Sequence, residues 1–341
     1  MTNNWLVHIR YDSPQLASSD PDRIIFENDK EKMDEFFAIH QYNILSIDLT
    51  QQNSYQLPGK EIYILGKDFF QSLNLFNTPS KNPSDIASPS YMLEIYDKFI
   101  MGLNCIKDIA QQIGTDFYIK PHALRLKLLL ERMGFNVIPK DVISEGGLFL
   151  KGLPPTGTPF LIVSHNFIKS FQKLKIELLK CPPNIGVDSY DTHIDTYLGI
   201  INFREELTID MGKYNGILYV HRETLKKIQA DRKKQDVWNI LKSKMERKGY
   251  LIRIYEPETE YQNIGINFKF DTGTHTFLTN AFPKKERAFL SGLGITVIAP
   301  ELSFGSNNSN CGGINCSYLL IPSNENIQKN IVNWIMAKVL K

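Results

Sequence analysis

Residues 309–317 have the sequence SNCGGINCS, which places Cys311 and Cys316 on either side of a Gly-Gly pair. Apolar runs at residues 294–300 and 318–322 flank this stretch, and each is typical of a β-strand. Glycine allows close backbone approach, and loops held by a rigid scaffold often carry chemistry. The loop is suited to presenting a thiol, although a cysteine after Gly-Gly is more often a packing residue. The choice between these two roles depends on the sequence upstream.

The composition is that of an ordinary globular protein. The 341 residues are 42% hydrophobic and 22% charged, which is enough apolar sequence for a large core. The formal net charge of +2 argues against a dedicated nucleic-acid surface, and no run approaches the ~18 apolar residues of a membrane span. The first residues lack the basic and then apolar order of a signal peptide. The expected location is the cytoplasm.

The four cysteines predict neither a disulfide framework nor a zinc site. Four are few for a chain of this length. Cys311 and Cys316 also lack a second Cys or His pair at the spacing of structural zinc. Cys105 and Cys181 are expected to be small core residues. No metal and no organic cofactor is predicted.

A strand–helix–strand unit repeats along the chain and leads each time into a polar loop, often with glycine. About five units of roughly 60 residues can be recognised, a period typical of repeat folds. Imperfect repeats of one supersecondary unit favour blades around an axis. We therefore expect an α/β fold, a five-bladed propeller of ββαβ repeats around a central site, in a single catalytic domain over residues 1–341.

The individual elements are predicted from apolar runs and helical periodicity. Helices are expected at residues 29–40, 121–133, 167–179, 225–248 and 284–290. Strands are expected at residues 5–10, 42–49, 61–66, 96–102, 135–139, 160–163, 216–220, 250–255, 274–278 and 295–299. Residues 74–90 are rich in Ser, Pro and Asn and are expected to be a loop.

Three loops carry residues suited to one chemistry. Glu145 opens Glu-Gly-Gly, His193 and Asp195 form His-Ile-Asp, and Cys316 follows Gly-Gly-Ile-Asn. On a strand, His193 and Asp195 would point to the same face, because the side-chain period of a strand is two. A nucleophile, a proton-transfer group and two carboxylates would then meet at one site. Each residue alone is commonly structural, but the three loops together indicate function.

These motifs resemble the signatures of the guanidino-group-modifying enzymes, the pentein superfamily. They are Glu145-Gly146-Gly147, His193-Ile194-Asp195-Thr196 and Gly312-Gly313-Ile314-Asn315-Cys316-Ser317. The superfamily includes arginine deiminase, agmatine deiminase, dimethylarginine dimethylaminohydrolase and the arginine:glycine amidinotransferases. The resemblance covers residues 91–322 and implies the α/β-propeller fold.

The resemblance implies a Cys-dependent reaction on the guanidinium group of arginine or a related small compound. Cys316 is expected to attack the central carbon and to form a covalent amidino intermediate. His193 is expected to protonate the leaving nitrogen and then to activate water. Asp195, together with Asp97 or Glu145, is expected to hold the guanidinium N–H groups.

The resemblance also implies a substrate-binding carboxylate in an earlier strand. Asp97, in Tyr96-Asp97-Lys98-Phe99, is the best match, although Tyr96 stands where the superfamily commonly has Arg. Asp68, in Gly66-Lys67-Asp68-Phe69-Phe70, is the rival. The sequence favours Asp97 over Asp68.

The same residues serve two reactions. A deiminase-like hydrolase lets water resolve the covalent intermediate, whereas an amidinotransferase passes the amidino group to an acceptor amine; the stretch 193–199 favours the hydrolase. The sequence also leaves open a non-enzymatic binding module of the same fold and an effector that acts on protein arginine. The expected partner is a small guanidino substrate. Neither nucleic acid nor a membrane is expected as a partner, and homo-oligomerisation is left open.

Overall fold

The computed structural model describes residues 4–9, 21–48, 51–72, 106, 110–113, 116–120, 124–139, 146–182, 193–302, 313–323 and 325–339. Within these ranges the chain has a mixed α/β fold of five small sheets and the helices that connect their strands. The α/β class predicted from the sequence is confirmed. The predicted strand at residues 96–102 and the predicted loop at residues 74–90 lie outside the described residues.

The strands of the described residues form one sheet of five strands and four sheets of three. The five-stranded sheet contains β1 Trp5–Ile9, β2 Asn43–Ile47, β3 Tyr55–Gln56, β4 Ile62–Leu65 and β17 Leu319–Ile321. The three-stranded sheets contain β5 Ala110–Ile113, β6 Asp116–Ile119 and β7 Asn136–Pro139; β8 Phe149–Gly152, β9 Phe160–Ser164 and β10 Glu177–Cys181; β11 Leu198–Ile209, β12 Gly212–His221 and β13 Tyr250–Tyr255; and β14 Lys269–Asp271, β15 Thr276–Leu278 and β16 Thr296–Ile298.

The helices vary widely in length. The longer α-helices are Pro21–Ile39, Lys67–Ser72, Leu124–Arg132, Arg222–Ala230, Arg232–Arg247, Lys284–Gly292 and Asn333–Val339. Single α-helical turns are Ile168–Phe171, Ile314–Ser317 and Glu325–Ile327, and Gln328–Val332 is a π-helix. The 3-10 helices are Gly146–Leu148, His165–Phe167, Gln172–Leu174, Ile194–Thr196 and Glu260–Ile266. No helix in the described part of the chain is long and apolar enough to cross a membrane.

Each sheet contains the same three-strand pattern. A first strand pairs antiparallel with a second, and the second pairs parallel with a third after a helical crossover, as β11, β12 and β13 do. Parallel neighbours need such a crossover because the chain must return to the same end of the sheet. In the five-stranded sheet the first strand is β17, which pairs antiparallel with β1. The repeat is therefore present, and its arrangement as blades around one axis stays a prediction.

The chain divides into two compact units, Met1–Ile143 with Ser317–Lys341 (unit 1) and Ser144–Cys316 (unit 2). The core of unit 1 includes apolar residues of β1, β2, β4 and β17. Unit 2 has one cluster that includes Trp238 and Tyr250 and another that includes Tyr219 and Phe277. The prediction of a single domain over residues 1–341 stays a prediction.

Three predicted helices have different bounds in the structure. The helix predicted at residues 167–179 ends early, because Lys175 adopts a left-handed conformation with φ 54° and Glu177–Cys181 forms β10. The helix predicted at residues 225–248 is two helices that meet at Asp231. The Asp231 carboxylate accepts hydrogen bonds from two backbone N–H groups and so begins the second helix. The first helix begins at Pro21 instead of residue 29.

Candidate active site

Cys316 lies in the helical turn Ile314–Ser317, directly after Gly313 and before β17. Its side chain is 4% exposed. Its backbone N–H donates to the Gly313 carbonyl at 3.1 Å and to the side-chain oxygen of Asn267 at 3.2 Å. The nucleophile predicted from the sequence is thus buried on a turn that is anchored to a second element of unit 2.

Asp195 contacts the Cys316 thiol. It belongs to the 3-10 helix Ile194–Thr196, which precedes β11, and its side chain is 1% exposed. Its Oδ2 accepts a hydrogen bond from Cys316 Sγ at 3.4 Å. The structure therefore brings together two of the residues that the sequence assigned to one site.

His193 and Asp195 do not lie on a strand, so the reason predicted for their proximity is wrong. The backbone is extended at His193 and then enters the 3-10 helix. The Thr196 hydroxyl donates to the His193 carbonyl at 2.7 Å, and the Thr196 N–H donates to it at 3.3 Å. This side-chain bond to the backbone favours a turn over a strand.

Gly147 connects the Glu-Gly-Gly motif to the His-Ile-Asp motif. It lies in the 3-10 helix Gly146–Leu148, where a Cβ atom would stand 2.5 Å from Cγ of His193 and 2.8 Å from Oδ1 of Asp195. Such distances leave no room for a side chain, and glycine is the residue that allows this approach. The imidazole of His193 and the carboxylate of Asp195 thus pack against the same Cα atom.

Asn267 joins Asp195 to Cys316. Its Nδ2 donates to Asp195 Oδ2 at 2.7 Å and to Cys316 Sγ at 3.3 Å. Its Oδ1 accepts hydrogen bonds from the backbone N–H groups of Gly313 at 3.1 Å and Cys316 at 3.2 Å. Because two backbone donors face Oδ1, the network determines which way the amide points. Asn267 is 2% exposed.

Asn267 belongs to none of the three motifs, so it is not among the site residues predicted from the sequence. The structure shows that it occupies an equivalent position in its repeat. Gly147, Asp195, Asn267 and Cys316 each lie two or three residues before the first strand of a sheet, namely β8, β11, β14 and β17. The sequence did not predict β8, β11 or β14, so this correspondence emerges only from the structure.

Asn315 provides a second amide at the Asp195 carboxylate. Its Nδ2 donates to Asp195 Oδ2 at 3.3 Å, and its backbone N–H donates to the Asn267 carbonyl at 3.1 Å. Burying a carboxylate costs free energy unless hydrogen bonds compensate for the lost water. The amides of Asn267 and Asn315 supply such bonds and fix Asp195 beside the thiol.

Two predicted carboxylates, Glu145 and Asp97, lie outside the described residues, and their placement stays a prediction. The rival Asp68 is described within unit 1. It accepts hydrogen bonds from the Ser54 N–H at 3.0 Å, the Ser54 hydroxyl at 2.5 Å and Lys338 Nζ at 2.8 Å. Burial opposes ionisation of Asp68, but the bonds from Lys338 and Ser54 outweigh it and lower its pKa. These contacts give Asp68 a structural role.

Cys181 is a core residue, as predicted. It is buried, and its Sγ lies 3.6 Å from the Tyr197 hydroxyl. Burial raises the pKa of the Cys181 thiol to about 12, so this cysteine is protonated at neutral pH. Cys105 and Cys311 lie outside the described residues. Among the residues that the structure does describe, no group of three His, Cys, Asp or Glu side chains could hold a metal ion.

No protein-family model matches the chain, and no curated protein matches it. Among solved structures, it is similar to the substrate-bound N-terminal domain of ArgZ, an arginine dihydrolase from the ornithine–ammonia cycle in cyanobacteria. The identity is 12%, the match covers 94% of this chain and 99% of that one, and the TM-score is 0.47. Dimethylarginine dimethylaminohydrolase is similar at 10% identity, with 94% of this chain and 100% of that one covered and a TM-score of 0.47.

This chain is also similar to AgrE in complex with ornithine and NAD+, at 13% identity and a TM-score of 0.48. That match covers 95% of this chain but 40% of AgrE. The likeness in all three cases is one of fold.

Proposed function

We propose that this protein is a Cys-dependent, deiminase-like hydrolase that acts on the guanidinium group of arginine or a related small guanidino compound. The observation that carries the proposal is the buried contact between Cys316 Sγ and Asp195 Oδ2, at 3.4 Å. This contact places a nucleophile, the Cys316 thiol, beside the Asp195 carboxylate, which can bind a cationic substrate. His193 packs against Gly147 together with Asp195, which supports a proton-transfer group at the same site.

The chemistry requires these groups together. A guanidinium ion resists attack by water because its charge is delocalised over its nitrogens. A carboxylate that accepts hydrogen bonds from two N–H groups of the guanidinium fixes the plane of the ion and offsets its charge. A thiolate is a far stronger nucleophile than water. Asp195 would serve as the carboxylate and Cys316 as the thiolate, so the bound carbon would lie directly over Sγ.

The proposed reaction has two halves. In the first, the Cys316 thiolate attacks the central carbon, one C–N bond breaks, and His193 gives a proton to the nitrogen that leaves as ammonia. The remainder of the substrate is then attached to Sγ as a thiouronium. In the second, His193 takes a proton from water, the resulting hydroxide attacks the same carbon, and the C–S bond breaks. A ureido product leaves and the thiolate is regenerated.

Glu145 and Asp97 complete the proposed substrate site. Glu145 lies two residues before Gly147, and the contacts of Gly147 with His193 and Asp195 support Glu145 as a second carboxylate that clamps the guanidinium. Asp97 is the proposed third carboxylate. The rival for this role, Asp68, is hydrogen-bonded to Ser54 and Lys338 instead, which favours Asp97.

The shared three-strand pattern supports a five-bladed α/β propeller with one blade for each sheet, in a single domain. In that arrangement the turns before β8, β11, β14 and β17 would meet around a central site. The contacts among Gly147, Asp195, Asn267 and Cys316 are those that such a convergence predicts.

The proposal is tested with a panel of arginine, agmatine, dimethylarginine and 4-guanidinobutyrate, each with and without glycine or lysine as acceptor. Ammonia and ureido product are measured for the wild type, for Cys316→Ala and for Cys181→Ala, which removes a second buried thiol and is the matched control. A ureido product without acceptor that is lost only in Cys316→Ala supports the hydrolase. Product only with an acceptor identifies an amidinotransferase. No turnover with any compound and an unreactive Cys316 would indicate a binding module and contradict the proposal.

A further inference from the structure

Both ends of the Asn267 amide are hydrogen-bonded at this site, one end to Asp195 and Cys316 and the other to the turn that carries Cys316. We propose that Asn267 is a positioning residue that stabilises the Cys316 thiolate and holds it against Asp195. The catalytic role of Asn267 rests on the proposed function, but its effect on the reactivity of Cys316 can be measured without a substrate.

The donor end of the amide faces both reactive groups. Nδ2 lies 2.7 Å from Asp195 Oδ2, 3.2 Å from the Asp195 carbonyl oxygen and 3.3 Å from Cys316 Sγ. A hydrogen bond to an ionised acceptor is stronger than one to a neutral acceptor. An N–H group aimed at sulfur therefore favours the thiolate over the thiol.

The Cys316 thiolate requires this stabilisation because a carboxylate lies next to it. The Asp195 carboxylate from the 3-10 helix Ile194–Thr196 contacts Sγ, and like charges at this distance disfavour ionisation of both groups. His193 faces the same site across Gly147 and, when protonated, would act in the opposite direction. Asn315, on the turn that carries Cys316, is neutral. An amide donor shared between carboxylate and thiolate offsets the repulsion between them.

The acceptor end prevents the amide from turning away. Oδ1 accepts hydrogen bonds from the backbone N–H groups of Gly313 and Cys316. The backbone carbonyl of Asn267 accepts a third hydrogen bond, from the N–H of Asn315. Gly313 also packs closely, since a Cβ atom there would stand 2.9 Å from the Asn267 carbonyl oxygen. The donor is therefore fixed relative to the turn that carries the nucleophile, as a preorganised site requires.

The test is the pH dependence of iodoacetamide alkylation of Cys316 in the full chain. Tandem mass spectrometry assigns the label to Cys316, because fragmentation separates it from Cys311, which lies five residues earlier in the sequence. The variants are Asn267→Ala, which removes the amide, and Asn267→Asp, which keeps the shape and Oδ1 but replaces the donor by a carboxylate. Asn280→Ala is the matched control, because Asn280 is a buried asparagine of the same unit whose amide donates to the carbonyls of Tyr261 and Leu302.

We expect Asn267→Ala to slow alkylation of Cys316 roughly tenfold at a pH where the thiol is only partly ionised, because the thiolate loses an N–H donor. Asn267→Asp should slow it further, and Asn280→Ala should leave the rate unchanged. Thermal unfolding checks that each variant is folded, and Asn267→Asp carries the test if Asn267→Ala does not fold. Folded Asn267 variants that titrate like the wild type would overturn the inference. A shifted titration in a protein without guanidino turnover would support Asn267 and overturn the proposed function alone.

Discussion

The thiol of Cys316 lies 3.4 Å from the carboxylate of Asp195, although 121 residues separate the two in the sequence. As a thiol, Cys316 donates a hydrogen bond to Asp195, but once it is ionised the thiolate and the carboxylate repel each other. A cation that lies over both groups offsets this repulsion. This relationship is the physical basis of the proposed activity, and it leads to predictions that can be tested one residue at a time.

Asp195→Asn should lower kcat/KM for the substrate identified in the panel by roughly 100-fold or more, a loss typical of removing one charged or preorganised group from an active site. The asparagine keeps the volume of Asp195, but it no longer balances the guanidinium charge. Asp271→Asn is the control, because Asp271 is a buried aspartate of the same unit that accepts the N–H groups of Gly273 and Thr274. Near-normal kinetics for Asp195→Asn would remove Asp195 from the mechanism.

Gly147→Ala should reduce turnover at least about tenfold, because displacing a reacting group by an ångström is costly to catalysis. The added methyl group would stand 2.5 Å from Cγ of His193 and 2.8 Å from Oδ1 of Asp195, so one or both side chains must move. Gly292→Ala makes the same change in open space at the end of a helix and should leave turnover unchanged. Equal kinetics for the two variants would show that the positions of His193 and Asp195 are not critical.

Glu286→Ala should lower the free energy of unfolding by about 3 kcal/mol, measured by urea denaturation. Glu286 is buried and accepts two hydrogen bonds from the Arg253 guanidinium, at 2.8 and 2.9 Å, and one from the Tyr219 hydroxyl, at 3.0 Å. The substitution leaves the partly buried guanidinium of Arg253 without its counter-charge. Glu223→Ala breaks an exposed pair with Lys226 and should have no measurable effect. A stability loss no larger than that of the control would contradict this account of the pair.

Asp68→Asn should make unfolding less sensitive to acid. The folded-state pKa of Asp68 is lowered, with burial outweighed by the bonds from Lys338 and Ser54. Its stabilising contribution is therefore present above the unfolded-state pKa, near 4, and is lost as the pH falls through the lower folded-state pKa. The variant should be less stable than the wild type at pH 7, and the difference should shrink as the pH falls below about 4. Urea denaturation across this range measures the effect, and parallel profiles would refute it.

Much of the architecture and part of the site could be predicted from the sequence. The repeating apolar runs gave the α/β class, and the motif order identified Cys316 and Asp195 as partners that the structure brings into contact. The strand proposed for residues 193–195 was wrong because a local bond of Thr196 to the His193 carbonyl stabilises a turn. The side-chain periodicity of a strand does not predict such a hydrogen bond.

Other features depend on contacts that a local pattern does not contain. Asn267 acquires its place from bonds to Asp195 and Cys316, which lie 72 and 49 residues away in the sequence. The strand β11, Leu198–Ile209, escaped prediction because polar residues fill its second half, where its pairing with β12 shifts register. The end of the helix before Glu177–Cys181 depends on the left-handed conformation of Lys175, for which lysine has no intrinsic preference.

The central claim is a covalent intermediate on Cys316, and acid quenching during turnover tests it most directly. The protein is mixed with the active guanidino compound, quenched and digested, and the peptide that contains Cys316 is analysed by mass spectrometry. We predict a thiouronium adduct on Cys316 that retains the carbon skeleton of the substrate and is absent from Cys181 and from the Cys316→Ala variant. An adduct of the amidino group alone would indicate that the skeleton leaves as an amine, as in transfer. Undiminished turnover by Cys316→Ala, without any adduct on the wild type, would contradict the account.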